Sequence, residues 1–106
     1  MSLFQFILGR GMQVKVVRAV HVNEIDNCVT LTDSVCKGDF VSFAEGGAER
    51  SITALEDIPK WHKMAIAAID RGSYIHKYGA DIGVVFEDIK AGDHVHIHNV
   101  RSPGGG

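Results

Sequence analysis

Asp88-Ile89-Lys90-Ala91-Gly92-Asp93-His94-Val95 repeats a phrase the chain has already used twice, as Ser34-Val35-Cys36-Lys37-Gly38-Asp39-Phe40-Val41 and as Ala68-Ile69-Asp70-Arg71-Gly72-Ser73-Tyr74-Ile75. A fourth, degenerate copy, Asp57-Ile58-Pro59-Lys60-Trp61-His62-Lys63-Met64, has tryptophan where the others have glycine. Each copy sets one apolar residue inward and turns sharply at the glycine, which tolerates positive φ. It then launches a strand whose next apolar residue returns to the core. The spacing between copies is irregular, which points to a folded-over β domain rather than a solenoid.

The segments around the phrase agree. Val14, Val16, an interrupting Arg18 and Val20 alternate with Lys15, Val17 and Ala19, and short β-rich runs follow at 28–32, 40–43 and 51–55 with glycine or aspartate between them. Gly46-Gly47, between Val41-Ser42-Phe43 and Ser51-Ile52-Thr53, reads as a tight hairpin turn. The stretch 63–69 has helix-compatible alanines but is short and hemmed in by turn residues, so it reads as strand. The fold class expected is mostly β, a single domain of short strands and tight turns over residues 12–101. Residues 1–11 read as a leader or flexible N-terminus, and residues 102–106, Ser-Pro-Gly-Gly-Gly, as a flexible exit.

Composition narrows the class. The 106 residues are 45% hydrophobic and 23% charged, enough for one modest core. Thirteen acidic and 11 basic residues give a formal charge of -2 without long runs of one sign, which argues against a nucleic-acid partner. Two cysteines, Cys28 and Cys36, are too few for a disulfide scaffold or a zinc ribbon and read as reduced thiols of a cytoplasmic protein. The apolar start Leu3-Phe4-Gln5-Phe6-Ile7-Leu8 is far shorter than the ~20 residues of a membrane span and lacks the flanks of a targeting signal, so no membrane association is expected.

The chemistry-bearing residues gather late in the chain. His94, His96 and His98 alternate, which on a strand points all three imidazoles to one face. At ~3.3 Å per residue, neighbours in the triplet lie ~6.6 Å apart and the outer two ~13 Å apart. A single ion at ~2 Å from nitrogen then takes two of them at most, and His94 with His96 make an incomplete metal site. The alternative is a solvated strand face. His62-Lys63 sets a proton carrier beside a fixed cation, on opposite faces if the segment is extended. Lys63 or Lys77 can hold a carboxylate as a point charge or simply be solvated. Asn99 can orient a hydroxyl or form a turn. Tyr78 reads as a packing residue at a turn, and Trp61 as core or interface.

His62-Lys63-Met64-Ala65-Ile66, Ile75-His76-Lys77-Tyr78-Gly79, Ile82-Gly83, Asp88-Ile89-Lys90-Ala91-Gly92-Asp93 and His94-Val95-His96-Ile97-His98-Asn99, with Asp26-Asn27 on an opening strand, resemble the N-terminal domain of altronate and galactarate dehydratases. The resemblance spans nearly all of the patterned region, and it implies a β-clip, or SAF-type, domain. One departure is Trp61, where the family pattern usually has glycine before the His-Lys pair. The chain also resembles the small subunit of two-chain members of the family, which include sulfolactate sulfo-lyases.

The resemblance implies a component of a hydro-lyase that dehydrates sugar acids of the altronate or galactarate type, inactive without a large catalytic chain. Imidazoles of His62, His96 and His98 then serve as proton carriers, and Lys63, Lys77 and Asn99 as substrate contacts. A divalent metal, iron(II) or manganese, polarises carboxylate and hydroxyl oxygens, with His94 and His96 as candidate ligands. Competing readings are a sulfolactate sulfo-lyase small subunit, a non-catalytic carbohydrate- or protein-binding module, and a metal-buffering protein. Exposed strand edges leave room for a homo-oligomer.

Overall fold

The computed structural model describes residues 3–8 and 12–102, with side chains from Val14 onward. Among these the chain forms ten strands and no helix: β1 (Leu3–Leu8), β2 (Met12–Val20), β3 (Cys28–Leu31), β4 (Phe40–Glu45), β5 (Ala48–Thr53), β6 (Lys63–Ala65), β7 (Tyr74–Lys77), β8 (Ala80–Val85), β9 (His94–Val95) and β10 (Val100–Arg101). The larger sheet runs β5-β4-β2-β3-β6-β9 with β1 also on β2, and the smaller runs β10-β8-β7. The mostly β expectation holds. The 63–69 stretch is strand only over Lys63–Ala65. Backbone of β1, within the segment read as a leader, runs antiparallel to β2, with Leu3 opposite Val17 and Leu8 opposite Met12. Residues 1, 2 and 9–11 of that segment, and 103–106 of the expected exit, lie outside the described residues.

The repeated phrase is the organising unit. In the three glycine copies Gly38, Gly72 and Gly92 have φ of 96°, 92° and 98°, and in the fourth copy Trp61 takes φ of 69°. The residue after each donates its N–H back across the turn, Asp39 to Cys36, Ser73 to Asp70, Asp93 to Lys90 and His62 to Pro59, at 2.9 to 3.1 Å. Each turn then grips one residue, in a strand or directly after one, from both sides. The N–H of Gly38 donates to Ala54 O (2.9 Å) while Asp39 O accepts from Ala54 N (2.8 Å). The same reciprocal pair joins Gly72 and Ser73 to Val85, Gly92 and Asp93 to Ala65, and Trp61 and His62 to Leu31.

Copies also pair with one another. Val35 and Ile58 exchange backbone hydrogen bonds, as do Ile69 and Ile89, and all four side chains are buried. Each pairing is capped alike: Asp57 accepts from Lys37 N at 2.8 Å, and Asp88 from Arg71 N at 2.9 Å. The first pair belongs to a core built around Phe43, Leu31 and Met64, and the second to a core around Ile75, Val85 and Val95. Alternation along β3 and β6 separates the two cores: Val29 and Met64 enter the first, Cys28 and Ala65 the second. Burying side chains of this size contributes about 1.5–3 kcal/mol each.

The hairpin glycines Gly46 and Gly47 have φ of 57° and 82°, the conformation a two-residue β4–β5 turn needs. At the β7–β8 turn Tyr78, not a glycine, has φ of 55°. Buried Asp26 holds it there, accepting from the N–H groups of Tyr78 and Gly79 at 2.9 Å and of Asn23 at 3.2 Å. Burial alone would raise its carboxyl, but these three donors outweigh burial and hold it below the ordinary aspartate value.

The clip glycines differ in surroundings. A Cβ on Gly38 would meet nothing within 4 Å, whereas one on Gly92 would stand 2.4 Å from Thr53 O and 3.0 Å from Leu55 Cγ. Gly38→Ala is therefore expected to lose about 1–2 kcal/mol from backbone strain alone, and Gly92→Ala distinctly more. Urea denaturation of the two variants checks this, and equal losses would show that the close approach at Gly92 is unimportant.

Candidate functional site

The degenerate clip and the last glycine clip deliver histidines to one place. His62 follows Trp61 directly, and His94 opens β9, which pairs with β6 through Met64 opposite His94. His62 Nδ1 and His94 Nε2 are 2.8 Å apart, sharing one proton in a hydrogen bond. The His96 ring lies 4.6 Å from that of His62 and stacks on His94 at 5.4 Å, with planes 8° apart.

The straight-strand geometry expected for the triplet does not occur. β9 ends at Val95, and the chain turns over residues 96–99, with Asn99 N donating to His96 O at 3.1 Å. His98 therefore folds back, and its ring centroid is 5.3 Å from that of His94, not ~13 Å. Asn99 makes the turn: its buried Oδ1 accepts from His96 N at 3.0 Å and its Nδ2 donates to His94 O at 2.8 Å. Glu56 fixes the other end, its Oε2 accepting from His94 N at 3.0 Å.

Two sets of donor atoms result, each within 4.8 Å: His62, His94 and His96, and Glu56, His94 and His98. Burial, then the neighbouring imidazoles His62, His98 and His96, push His94 down to about 4, against an opposing pull from Glu56. His96 is lowered too, by desolvation and then by His62, Lys63 and His98. Both imidazoles are neutral at physiological pH and present lone pairs.

Lys63 leaves the cluster, as strand alternation predicts, and lines a cleft of about 520 Å³. Its polar wall is Lys63, His96, Arg101 and Ser102, and its floor includes Ile75, Val95 and Val100. No carboxylate among the described residues lines this cleft, so it is an anion-attracting surface that meets the imidazole cluster at His96. Of the sequence-selected residues, His62, His94, His96 and His98 come together and Lys63 adjoins them. Lys77 lies elsewhere, its Nζ 3.6 Å from the ring centroid of Tyr78, and the Asn99 amide is committed to backbone. Trp61, expected in core or interface, is exposed beside His62 and so is not a core residue. Glu56, Arg101 and Ser102 were not singled out in the sequence, where nothing local marks them.

A model of the altronate/galactarate dehydratase SAF domain matches residues 17–103. The chain belongs to this family. Altronate dehydratase of Escherichia coli K12 is 32% identical to this SAF domain over 83 residues, 78% of the chain but 16% of the relative. Altronate dehydratase of Bacillus subtilis 168 is 40% identical over 52 residues, 49% of the chain and 10% of the relative. The alpha subunit of (2R)-sulfolactate sulfo-lyase from Paracoccus pantotrophus is 43% identical over 51 residues, which is 48% of the chain and 76% of that subunit. The SAF domain thus spans a small fraction of the dehydratases and most of a named subunit. No helix among the described residues is long and apolar enough to cross a membrane.

The depressed His94 value carries a signed consequence. An unfolded histidine takes a proton near pH 6.5, whereas the folded one resists until about pH 4. The unfolded state therefore binds more protons in between, and stability complete above pH 6.5 declines as pH falls toward 4. Comparison of wild type with His94→Asn by urea denaturation across that window is expected to show the steeper decline in wild type. Parallel curves would refute the assignment.

Proposed function

We propose that this SAF domain is the small component of a lyase that eliminates a leaving group from a hydroxy acid, working with a large catalytic chain. The observation that supports it is the meeting, at His96, of an imidazole cluster with a cleft walled by Lys63 and Arg101, in a chain whose relatives are named as dehydratases and a sulfo-lyase subunit. In this reading Lys63 and Arg101 hold the substrate carboxylate. The base removes the proton from the carbon beside it, the electron pair forms the double bond, and the hydroxyl departs as water with a proton from an acid. His62, His96 and His98 are the proton carriers, since a neutral imidazole has one nitrogen that accepts a proton and one that donates.

Asn99 acts through His94 and His96 as a positioning residue, and Lys77, held over Tyr78, is assigned no substrate contact. A divalent cation, iron(II) or manganese, supplies charge stabilisation of the carboxylate and hydroxyl oxygens when bound in the full enzyme. Altronate- or galactarate-type sugar acids are the substrates this reading favours, with sulfolactate as the alternative that changes the leaving group. The cytoplasm, where Cys28 and Cys36 stay as free thiols, is the compartment that fits.

The test is co-purification of the tagged chain with the products of neighbouring genes, followed by elimination assays on altronate, galactarate and sulfolactate with iron(II) or manganese. Activity is expected only with a large partner, and His96→Ala is expected to lower kcat about 10²–10⁴-fold. Turnover by the chain alone at an ordinary enzymatic rate, or a solitary inactive chain, would overturn the reading; the second outcome would favour a binding module.

A further inference from the structure

We infer that His62, His94 and His96 form a metal site within this domain, open on one side and selective for cations that prefer nitrogen donors: Zn²⁺, Co²⁺, Ni²⁺ and Fe²⁺ over Mg²⁺ and Ca²⁺. The inference goes beyond the lyase reading and does not depend on it, since it concerns only side chains of this chain.

Geometry carries it. Three imidazole nitrogens lie within 4.8 Å of one another, and two of them, His62 Nδ1 and His94 Nε2, are 2.8 Å apart. Nitrogens bound at ~2.0–2.1 Å to one ion stand ~2.8–3.4 Å from each other at angles from octahedral to tetrahedral, so this pair is within ~0.6 Å of either geometry. The shared proton that joins them in the metal-free chain would leave on binding. The supporting backbone is already in place: Glu56 holds the N–H of His94, and Asn99 holds the carbonyl of His94 and the N–H of His96. A site whose supporting hydrogen bonds are in place before the ligand arrives loses little order on binding.

His96 is exposed, which leaves coordination positions facing solvent and the Lys63–Arg101 cleft. Three imidazole nitrogen donors and no carboxylate in the set favour borderline cations along the Irving–Williams order, in which manganese binds weakest of the first-row divalent metals. With an ion bound here, His62 and His96 serve as ligands in place of the proton-carrier roles proposed above, and those roles pass to His98. The second donor set, Glu56 with His94 and His98, shares His94, so the two cannot fill independently.

The chain reports on itself, because its single tryptophan, Trp61, adjoins His62. Tag-free, metal-free chain is titrated with Co²⁺, following visible absorption and quenching of Trp61 fluorescence, with Mg²⁺ and Ca²⁺ as controls. One Co²⁺ per chain is expected, displaced by Zn²⁺ and unaffected by Mg²⁺. His62→Ala and His96→Ala are each expected to weaken binding by about tenfold or more, while His98→Ala and Glu56→Gln leave it unchanged. Thermal melts show which variants remain folded, and exposed His96 is the substitution least able to disturb the fold. Absence of binding overturns the inference. So does binding that survives His62→Ala but is lost in His98→Ala and Glu56→Gln, since the ion would then belong to the other set. Co²⁺ binding without lyase activity in the reconstituted complex would retain this site and sink the proposed function; activity with no metal on this chain would do the reverse.

Discussion

One hydrogen-bonded grip, made four times, is the constraint on which the domain depends. A residue at positive φ aims its own N–H and the next residue's C=O at one and the same residue of the sheets or their ends, and the four residues so held, Leu31, Ala54, Ala65 and Val85, are all buried. An unmet backbone donor or acceptor at such a site would cost about 1–3 kcal/mol. The left-handed turn is therefore tied to core formation and is more than a convenient reversal. Pairing of the copies through Val35 with Ile58, and Ile69 with Ile89, then closes one core under each pair.

The site grows out of the copy that breaks the rule. In two glycine copies an aspartate follows the glycine and its carboxylate turns back to accept a turn N–H, Asp39 from Cys36 and Asp93 from Lys90. In the fourth copy the equivalent donor belongs to Pro59, which has no N–H to satisfy. Position 62 is thereby released from capping, and an imidazole occupies it without leaving a polar group stranded. Trp61 accepts the strain of positive φ in the same turn, and its N–H and the His62 carbonyl still grip Leu31. The proline and the histidine are two halves of one substitution.

Much of this was legible in the sequence, and the limits have physical causes. Spacing of apolar residue, glycine and strand within each phrase revealed the turns, because that geometry is local. Which copies pair was not readable, since Val35 and Ile58 meet through backbone groups that every residue carries. The histidine triplet was visible, but its shape was not: alternation assumes an extended strand, and the Asn99 side chain ends that strand at Val95 by capturing both His94 and His96. His62 and His94 are 32 residues apart, and only the β6–β9 pairing brings them together. Glu56 and Arg101 stand in no pattern at all and acquire meaning only from what faces them.

Charge divides the surface around His96 into two adjoining functions. Partial burial and the neighbouring imidazoles both disfavour the charged form of His94, so its ring offers a lone pair to a proton or a cation. Across His96, Lys63 and Arg101 line a cleft with no carboxylate among the described residues, which offers a place for anions. Had those two side chains projected into the cluster, they would have repelled any cation there. Strand alternation at the start of β6 prevents this for Lys63, sending it to the opposite side from His62. A single residue step along an extended chain thus keeps the anion-binding and the lone-pair surfaces apart while leaving His96 in contact with both.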